Sequence, residues 1–245
     1  MSFPEEFDLA EAFKRYFEIV PAFSDSLKDE VFRVRHQVFC EELAFEPRRA
    51  DRRESDEHDA HSIHVLIRSI RTGAFVGCTR IILARSDDPL YRLPFEKICA
   101  TALDRSMVDP DNLPRDTICE VSRLAVIAQF RRRTGEESSP LALSDNADNA
   151  FGTTTQPRFP YIPVSLYLAA NELARLNGIR TGFVLTEARL ARHFRTLGFA
   201  PQTVGAAVEH HGKRIPSMMS PTTIVENLKA PLRALYRTVA AQIAK

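Results

Sequence analysis

The chain has 245 residues, of which 44% are hydrophobic and 27% are charged. Its 33 Lys and Arg residues against 32 Asp and Glu residues leave a formal net charge of +1, so no global field attracts nucleic acid or an anionic membrane. No apolar run approaches the roughly 18 residues that a spanning helix needs. These numbers exclude a membrane-spanning protein and a disordered chain, and the length favours one domain, or two at most.

The cysteines and the amino terminus indicate a reducing compartment. Cys40, Cys78, Cys99 and Cys119 lie too far apart in sequence for a zinc knuckle or a redox CxxC pair. We expect them to be small buried residues that stay reduced. The segment MSFPEEFDLAEAF begins with acids rather than a basic region and has no uninterrupted apolar stretch, so we expect no secretory signal and a cytoplasmic location.

Hydrophobic spacing predicts two helices in an N-terminal helical region of about residues 1–45. Residues 5–19 predict a short amphipathic helix, which is marginal without packing partners. A stronger helix begins at Ser26, whose side chain can cap it while Asp29 follows three residues later, and it ends at about Leu43. One stripe of this helix carries Leu27, Val31, Val34 and Val38.

The pattern then changes from helix to strand. Residues 46–61 carry many Asp, Glu and Arg side chains and almost nothing apolar, which predicts a solvated or ligand-facing loop, with a disordered surface loop as the alternative. Runs rich in Val and Ile predict β-strands over 62–70, 74–83 and 117–127. A tight turn at 71–73 joins the first two strands, and a short helix over about 95–103 precedes the third.

The remaining chain alternates between helix and strand. Residues 134–158 are rich in Gly, Ser, Asn and Asp and predict an insertion loop. The elements that follow are helices over 161–177, 187–197 and about 224–244, a strand over 180–186 and a hairpin around Gly212. Gly178 and Gly198 are the expected left-handed stops of the first two helices. The buried stripe of the first helix is predicted as Leu166, Ala169 or Ala170, Leu173 and Leu176. We expect a mixed α/β fold in one domain over residues 1–245.

Several ordered fragments carry a family resemblance. They are Arg35, Phe39, Phe45, Asp56 with Asp59, Cys78-Thr79-Arg80, and Glu120-Val121-Ser122-Arg123. They resemble the acyl-homoserine lactone synthases, or autoinducer synthases, which have an Arg four residues before a Phe, an aromatic six residues further on, and an Asp-x-x-Asp pair eleven residues beyond it. The resemblance covers roughly residues 31–217. It implies a GNAT-like N-acyltransferase fold, with a mixed, mostly antiparallel central sheet and helices on both faces.

Two features are more similar to a sister group. Phe45 stands where autoinducer synthases usually carry Trp, and an arginine-rich turn with a long insertion precedes the next helix. Together with VEHHGKR at residues 208–214, they resemble the acyltransferases associated with exosortase and PEP-CTERM gene clusters, which include N-acyl amino acid synthases. This resemblance implies transfer of an acyl group to an amine.

N-acylation requires a base for an ammonium proton and donors for a tetrahedral oxyanion. We assign Glu120 as the catalytic base, directly or through a water, and Arg123 as a clamp for a carboxylate or for that base. In a regular strand Glu120 and Ser122 face one way and Arg123 the other, so a shared catalytic site requires a bulge. A bulge also leaves a backbone N–H unpaired, which, as the GNAT resemblance implies, would hold the thioester carbonyl. An ordinary Glu–Arg pair at a sheet edge is the alternative.

A second group of residues is the candidate substrate site: Arg35, Phe39, Phe45, Asp56, Asp59 and Arg80. Two carboxylates can converge on one ammonium and two guanidiniums can hold a carboxylate, so the set suits an amino acid or a molecule built on one. The phenylalanines, six positions apart, fall on different helix faces, so we expect at least one of them to line the pocket. A surface ion-pair network is the alternative for each charged residue taken singly.

Histidines beside these acids invite a metal-site interpretation, because imidazoles and carboxylates at close spacing are metal ligands. The string is Asp56, His58, Asp59, His61 and His64. It lacks HExxH or another recognised spacing, and His64 lies within an apolar strand. We therefore predict no metal there, nor at His210-His211.

The candidate acyl-donor-binding residues are Val126, Arg131, Arg132 and Arg133. In the GNAT fold, as the resemblance implies, a turn after a strand end cradles a pyrophosphate or phosphopantetheine at a helix start. The insertion separates this turn from its helix, so a standard cradle is in doubt. A basic patch, joined by Arg189, Arg192 and Arg195, would instead dock an acidic acyl carrier protein; a solvated basic face is the alternative.

We therefore predict an acyltransferase that moves a long-chain fatty acyl group from acyl carrier protein or coenzyme A to the α-amine of an amino acid. The expected mechanism is direct attack, without a covalent acyl-enzyme or a permanently bound cofactor. An acyl-homoserine lactone synthase using S-adenosylmethionine is the first alternative, and a non-catalytic fatty-acyl binding module the second. The expected partners are acyl carrier protein and a small amino acid, without nucleic acid and with at most peripheral membrane contact.

Overall fold

The computed structural model describes residues 9–88, 90–131 and 161–244. The predicted insertion loop at 134–158, Arg132 and Arg133 lie outside these ranges. Within them the α-helices are α1 (Leu9–Tyr16), α2 (Asp25–Arg35), α3 (Pro94–Ile98), α4 (Tyr161–Leu176), α5 (Ala188–Leu197), α6 (Pro221–Asn227) and α7 (Ala230–Ile243), and a π-helix, His36–Glu42, continues α2. None of the helices in the described part of the chain has both the length and the apolar character to cross a membrane.

One eight-stranded β-sheet forms the centre of the described fold. The strands are β1 (Phe17–Pro21), β2 (Ser62–Ser69), β3 (Phe75–Leu83), β4 (Ile118–Val126), β5 (Thr181–Thr186), β6 (Gln202–Thr203), β7 (Val208–Glu209) and β8 (Lys213–Met219). Their order is β1-β2-β3-β4-β5-β8-β6, and β7 pairs with β8. Only the β4–β5 pair among these strands is parallel. The sheet is thus mixed and mostly antiparallel, as the sequence predicts.

Helices cover both faces of the sheet. On one face α4 packs across β2, β3 and β4, with α1 and α7 beside it; a Cβ added at Gly77 of β3 would meet Leu166 of α4. On the other face Phe95 of α3 stacks on Phe183 of β5, with ring centroids 4.5 Å apart, and α2 packs on β2, β3 and β4. This sandwich of helices around one sheet confirms the predicted fold class.

Most predicted elements occupy their predicted places. The strands at 62–70, 74–83 and 117–127 correspond to β2, β3 and β4. Gly73, with φ of 72°, makes the turn between β2 and β3, and Gly178 and Gly198 are left-handed after α4 and α5. The four cysteines are buried with free thiols. Local spacing and turn chemistry therefore suffice for these elements.

The N-terminal region differs from its prediction in two places. Residues 5–19 were expected to be one helix, but α1 ends at Tyr16 and β1 follows as an edge strand on β2. The free edge of β1 is partly satisfied from α7, since the Gln242 side chain accepts from the Ile19 N–H at 2.8 Å. The cap of α2 is Ser24 rather than Ser26, and its hydroxyl accepts from the Leu27 N–H.

The C-terminal prediction also needs two corrections. The helix expected over about 224–244 is broken into α6 and α7 at Leu228 and Lys229, where Pro231 occupies the first turn of α7. Leu176, predicted in the buried stripe of α4, is 55% exposed. Earlier turns of α4 are buried on nearly all sides, because the helix lies between the sheet and α7. A prediction of one buried face therefore underestimates how many residues of α4 are buried.

The two left-handed glycines give a matched stability test. A Cβ at Gly198 would lie 2.7 Å from the Asn227 carbonyl oxygen, whereas a Cβ at Gly178 would meet nothing within 4 Å. Gly178→Ala is therefore expected to cost only backbone strain, about 1–2 kcal/mol, and Gly198→Ala clearly more. Urea unfolding of both variants measures the two free energies. Equal losses would contradict the packing of α6 against the end of α5.

Candidate functional site

A cavity of about 600 Å³ opens where β4 and β5 separate. The parallel pairing of these strands covers three positions only and ends at Glu120 opposite Phe183. Beyond it, β5 continues to pair with β8 up to Thr186, while β4 remains bound to β3 on its other side. The split allows the cavity to pass through the sheet, so side chains from both faces line it.

The two sides of the cavity differ in chemistry. On the face of α2 and α3 lies the charged chamber, lined by Glu46, Asp56, Glu57, His58, Arg80, Glu120, Ser122, Arg123, His210, His211 and Arg214, with Phe39, Phe45, Pro94 and Ile98. On the face of α4 and α5 lies the apolar chamber, lined by Val121, Tyr167, Val184, Leu190 and Phe194. One cavity therefore offers a polar and an apolar compartment that meet at the strand split.

A bulge in β4 places Arg123 in the charged chamber. Cys78 pairs with Ala125 but Arg80 pairs with Ser122, so one residue of β3 faces two of β4. Arg123 adopts a left-handed backbone with φ of 52°, a conformation that costs free energy for a residue with a Cβ. Its guanidinium reaches Asp56 and Glu54 at 3.3 Å each. This is the bulge that a shared site for Glu120, Ser122 and Arg123 requires.

Glu120 lies at the bottom of the charged chamber and is 3% exposed. Burial raises the pKa of its carboxyl to about 7, against the hydrogen bond from the Phe95 N–H and the charges of Arg80 and Arg123. That N–H, at the start of α3, donates to Oε2 at 2.7 Å. A carboxyl with a pKa near neutrality is suited to accept and return a proton.

A buried ion cluster supports the chamber from behind. Arg35 is fully buried and bonds to Glu54 and, at 2.6 Å, to Asp59. Arg80 donates to Asp59 at 2.7 Å and to Asp56 at 2.6 Å, and its Nε donates to Ser122 Oγ at 3.2 Å. The cluster thus holds Arg80 and Asp56 at the chamber wall in a fixed geometry.

The carboxylates of this cluster are ionised. Burial alone would raise the pKa of Asp56, but the hydrogen bond and charge of Arg80, with the charges of Arg123 and Arg35, hold it well below its usual value. Burial alone would also raise the pKa values of Glu54 and Asp59. The charge and hydrogen bond of Arg35, together with the charge of Arg123 at Glu54 and of Arg80 at Asp59, lower both instead. Burial alone would lower the pKa of Arg35, but the charges and hydrogen bonds of Glu54 and Asp59 raise it.

The direct substrate role expected for Arg35 and Asp59 needs correction. Neither side chain is among those that line the cavity, because each is enclosed by the ion cluster. Arg80 and Asp56 do line it, as do both Phe39 and Phe45. Four members of the predicted substrate group therefore line the cavity, and Arg35 and Asp59 hold Arg80 and Asp56 in place from behind.

The turn between β7 and β8 forms a roof over the charged chamber. His211, left-handed with φ of 49°, stacks on Phe45 with ring centroids 5.0 Å apart, and its Nε2 lies 3.9 Å from a Glu46 oxygen. Arg214 fixes the turn by donating to the carbonyls of His210 and His211 at 3.1 and 2.9 Å. His210 and His211, for which a metal site was considered and not predicted, thus enclose the charged chamber.

Several residues of the site and its ion cluster carry no distinctive sequence signal. Glu54 is the central anion of the ion cluster, yet it stands in a highly charged run where no spacing distinguishes it. Tyr167 and Phe194 resemble ordinary core residues, and only the split in the sheet turns them toward a cavity. The VEHHGKR segment at residues 208–214 contributed only to the family resemblance, which did not place the last hairpin at the site.

Val126 and Arg131, the two predicted acyl-donor residues that the structure describes, are not in the cavity lining. Val126 is fully buried in β4 and pairs with Gly77. Arg131 is buried and bonds to Glu42 at the end of the π-helix. On α5, Arg192 and Arg195 are exposed. Within the described ranges, no group of three or more His, Cys, Asp or Glu side chains is placed to hold a metal ion.

Part of the chain matches a known family model. Residues 34–139 match the acetyltransferase (GNAT) domain, a range that begins in the last turn of α2, extends past β4 and includes most of the charged chamber. Over this range the chain is similar to a GNAT acetyltransferase domain. No curated protein matches its sequence.

Several solved structures share the fold of this chain. The acyl-homoserine lactone synthase LasI has 17% identity and a TM-score of 0.55, over 87% of this chain and 97% of its own. BjaI, a CoA-dependent acyl-homoserine lactone synthase solved with SAM and isopentyl-CoA, has 18% identity and a TM-score of 0.58, over 91% and 89%. FeeM, an N-acyl amino acid synthase from uncultured soil microbes, has 13% identity and a TM-score of 0.54, over 89% and 97%.

The buried ion cluster predicts a large cost for removing its cation. Arg35→Met leaves Glu54 and Asp59 buried without their main partner, so we expect a loss of about 3–5 kcal/mol in the free energy of unfolding. Arg53→Met is the matched control, because Arg53 bonds to Asp29 on the surface, and its loss should be much smaller. Denaturant unfolding measures both. A small loss for Arg35→Met would contradict the supporting role of the cluster.

Proposed function

We propose that this chain is a GNAT-type acyltransferase that moves a fatty acyl group from a thioester of acyl carrier protein or coenzyme A to the α-amine of an amino acid. The product is an N-acyl amino acid. The observation that carries the proposal is the cavity through the β4–β5 split, which joins a charged chamber to an apolar one. The two proposed substrates have the same division, a zwitterionic amino acid and an apolar acyl chain, and they meet where the new amide forms.

The charged chamber suits an amino acid acceptor. Arg80 is committed to two carboxylates at 2.6–2.7 Å, whereas Arg123 makes three longer contacts of 3.3–3.5 Å through one nitrogen, Nη2. Among the described residues, Arg123 Nε is buried without a hydrogen-bond partner. Arg123 is therefore the guanidinium that we assign to the acceptor carboxylate, and Asp56 and Glu46, which lie 3.3 and 3.5 Å from Arg123 Nη2, are the carboxylates that we assign to its ammonium.

The apolar chamber suits the acyl chain. Its walls are aliphatic and aromatic side chains of β5, α4 and α5, namely Val184, Tyr167, Leu190 and Phe194. Burial of methylene groups against such walls contributes about 0.8 kcal/mol each. The thioester carbonyl would then lie at the strand split, where β4 beyond Glu120 has no pairing with β5 and can donate a backbone N–H to the developing oxyanion.

Glu120 supplies the proton transfers in this proposal. Its carboxylate accepts a proton from the acceptor ammonium, and the neutral nitrogen attacks the thioester carbon to form the C–N bond. The C–S bond then breaks, and the leaving thiolate takes the proton back from Glu120. The second proton of the original ammonium passes to solvent as the amide forms, so the net products are amide, thiol and one proton.

The alternative acceptor is S-adenosylmethionine (SAM). Two of the structures compared above are acyl-homoserine lactone synthases, and a SAM acceptor presents the same amino acid head to the charged chamber. The stack of His211 on Phe45 closes that chamber, which favours the smaller acceptor. The product distinguishes the two, because only SAM yields a lactone.

Glu120→Gln should abolish most turnover. Removal of the base is expected to lower kcat by about 10²–10⁴-fold, with little change in KM for the thioester. In the wild type kcat/KM should rise with pH through about 7, because the carboxylate is the active form and burial raises the pKa of Glu120 to about 7. The Glu120→Gln variant should lose this rise with pH. Steady-state rates across pH measure both effects.

Glu172→Gln is the matched control for this variant. Glu172 is also a buried glutamate, 5% exposed, but it bonds to Arg175 and Tyr236 on α4 and α7, away from the cavity. Its replacement should leave kcat and the rise of kcat/KM with pH unchanged. If Glu120→Gln kept wild-type kcat, the assignment of Glu120 as the base would fail.

The product itself tests the proposal. Mass spectrometry of lipid extracts should detect new N-acyl amino acids in cells that overexpress the wild type, and none above background with Glu120→Gln. Homoserine lactones instead would establish SAM as the acceptor. With soluble protein and available precursors, the absence of both products would refute transfer and favour a fatty-acyl binding module.

A further inference from the structure

A second, small cavity lies directly behind the apolar chamber. Its volume is about 20 Å³, enough for about one water molecule. It lies between β4, β5, α4 and α6 and shares two wall residues, Val121 and Tyr167, with the main cavity. Only these two side chains therefore belong to both cavities among the described residues.

The second cavity has a lining fit for a hydrocarbon. Small or apolar residues surround it, including Ala170, Ala174, Gly182 and Met219. The polar Asn171 side chain is satisfied, because its amide donates to the Pro221 carbonyl at 3.2 Å. A methylene group entering this space would leave no buried polar group unpaired, which is the main cost of filling an interior site.

Tyr167 is held rigidly between the two cavities. Its ring packs on Phe194 with centroids 4.2 Å apart and edge-on to Phe199 at 5.3 Å. Its hydroxyl donates to the Met219 sulfur at 3.0 Å. Two aromatic contacts and this bond restrict the side chain to one position, so the ring acts as a fixed wall rather than a mobile one.

We propose that Tyr167, with Val121, is the end wall that sets the maximum length of the acyl chain. The second cavity is then space that a longer chain would occupy once the wall is reduced. The proposal rests on the proposed acyl transfer, and it adds the residue that determines donor specificity. It predicts that chain-length preference changes at this position while the charged chamber and its proton transfer stay intact.

Tyr167→Leu tests the wall by removing the ring. The full-length variant is compared with wild type on dodecanoyl and hexadecanoyl thioesters of coenzyme A and of acyl carrier protein. The ratio of kcat/KM for hexadecanoyl over dodecanoyl should rise about tenfold or more, the effect that one or a few methylenes have in an apolar pocket. Tyr167→Phe is the matched control, since it keeps the ring and loses only the bond to Met219; its ratio should stay at the wild-type value.

A compensating variant separates the wall from general loosening of the core. Tyr167→Leu combined with Ala170→Val refills the merged space from α4, where Ala170 lines the second cavity, because the two added methyl groups occupy the space that the ring vacates and the second cavity. The ratio should return toward the wild-type value. If Tyr167→Leu does not fold, Val121→Ala opens the same wall from β4, keeps the aromatic contacts of Tyr167 and should raise the ratio in the same direction.

A binding measurement distinguishes failure of the end-wall proposal from failure of the proposed acyl transfer. Thermal unfolding is measured with dodecanoic and hexadecanoic acid, which need no catalysis. A larger stabilisation of Tyr167→Leu by hexadecanoic acid than of wild type supports the end wall, even if no acyl transfer occurs. A folded Tyr167→Leu variant with the wild-type chain preference, in turnover or in binding, overturns it.

Discussion

The early end of the β4–β5 pairing is the constraint on which the site depends. Three parallel pairs hold the strands together up to Glu120, and then β5 follows β8 while β4 follows β3. A continuous sheet would separate its two faces completely. Because the strands part, a charged compartment on one face and an apolar compartment on the other become one cavity, with Glu120 at their junction.

The second requirement is electrostatic. Arg35, Arg80 and Glu54 are buried on the α2 face, with Asp59 and Asp56 partly buried beside them, and such a group is stable only when its charges are paired in good geometry. The cluster orients Arg80 and Asp56 toward the cavity and leaves Arg123 with long, shared contacts. Strong pairing behind the wall and weak pairing at its surface suit the charged substrate that we propose.

Much of the fold was predictable from sequence because its signals are local. The Val-rich and Ile-rich runs of β2, β3 and β4, and the glycine stops after α4 and α5, depend on neighbouring residues alone. The failures had tertiary causes. β1 exists because β2 offers an edge, although residues 5–19 have helical spacing, and α4 is buried on nearly all sides because α7 covers it. Sequence resemblance also assembled Glu120, Ser122 and Arg123, and the need for a bulge followed from strand alternation.

The sequence by itself determined the mixed α/β class, the order of most elements and the residue types that acyl transfer requires, since these follow from periodicity, turn chemistry and motif spacing. Only the tertiary structure decided which of those residues meet. It buried Arg35 and Asp59 behind Arg80 and Asp56, brought His211 onto Phe45 from more than 160 positions away, and turned Tyr167 from a core residue into a wall between two cavities. These outcomes depend on where strands part and helices cross, which is set by packing between distant segments and not by any local pattern.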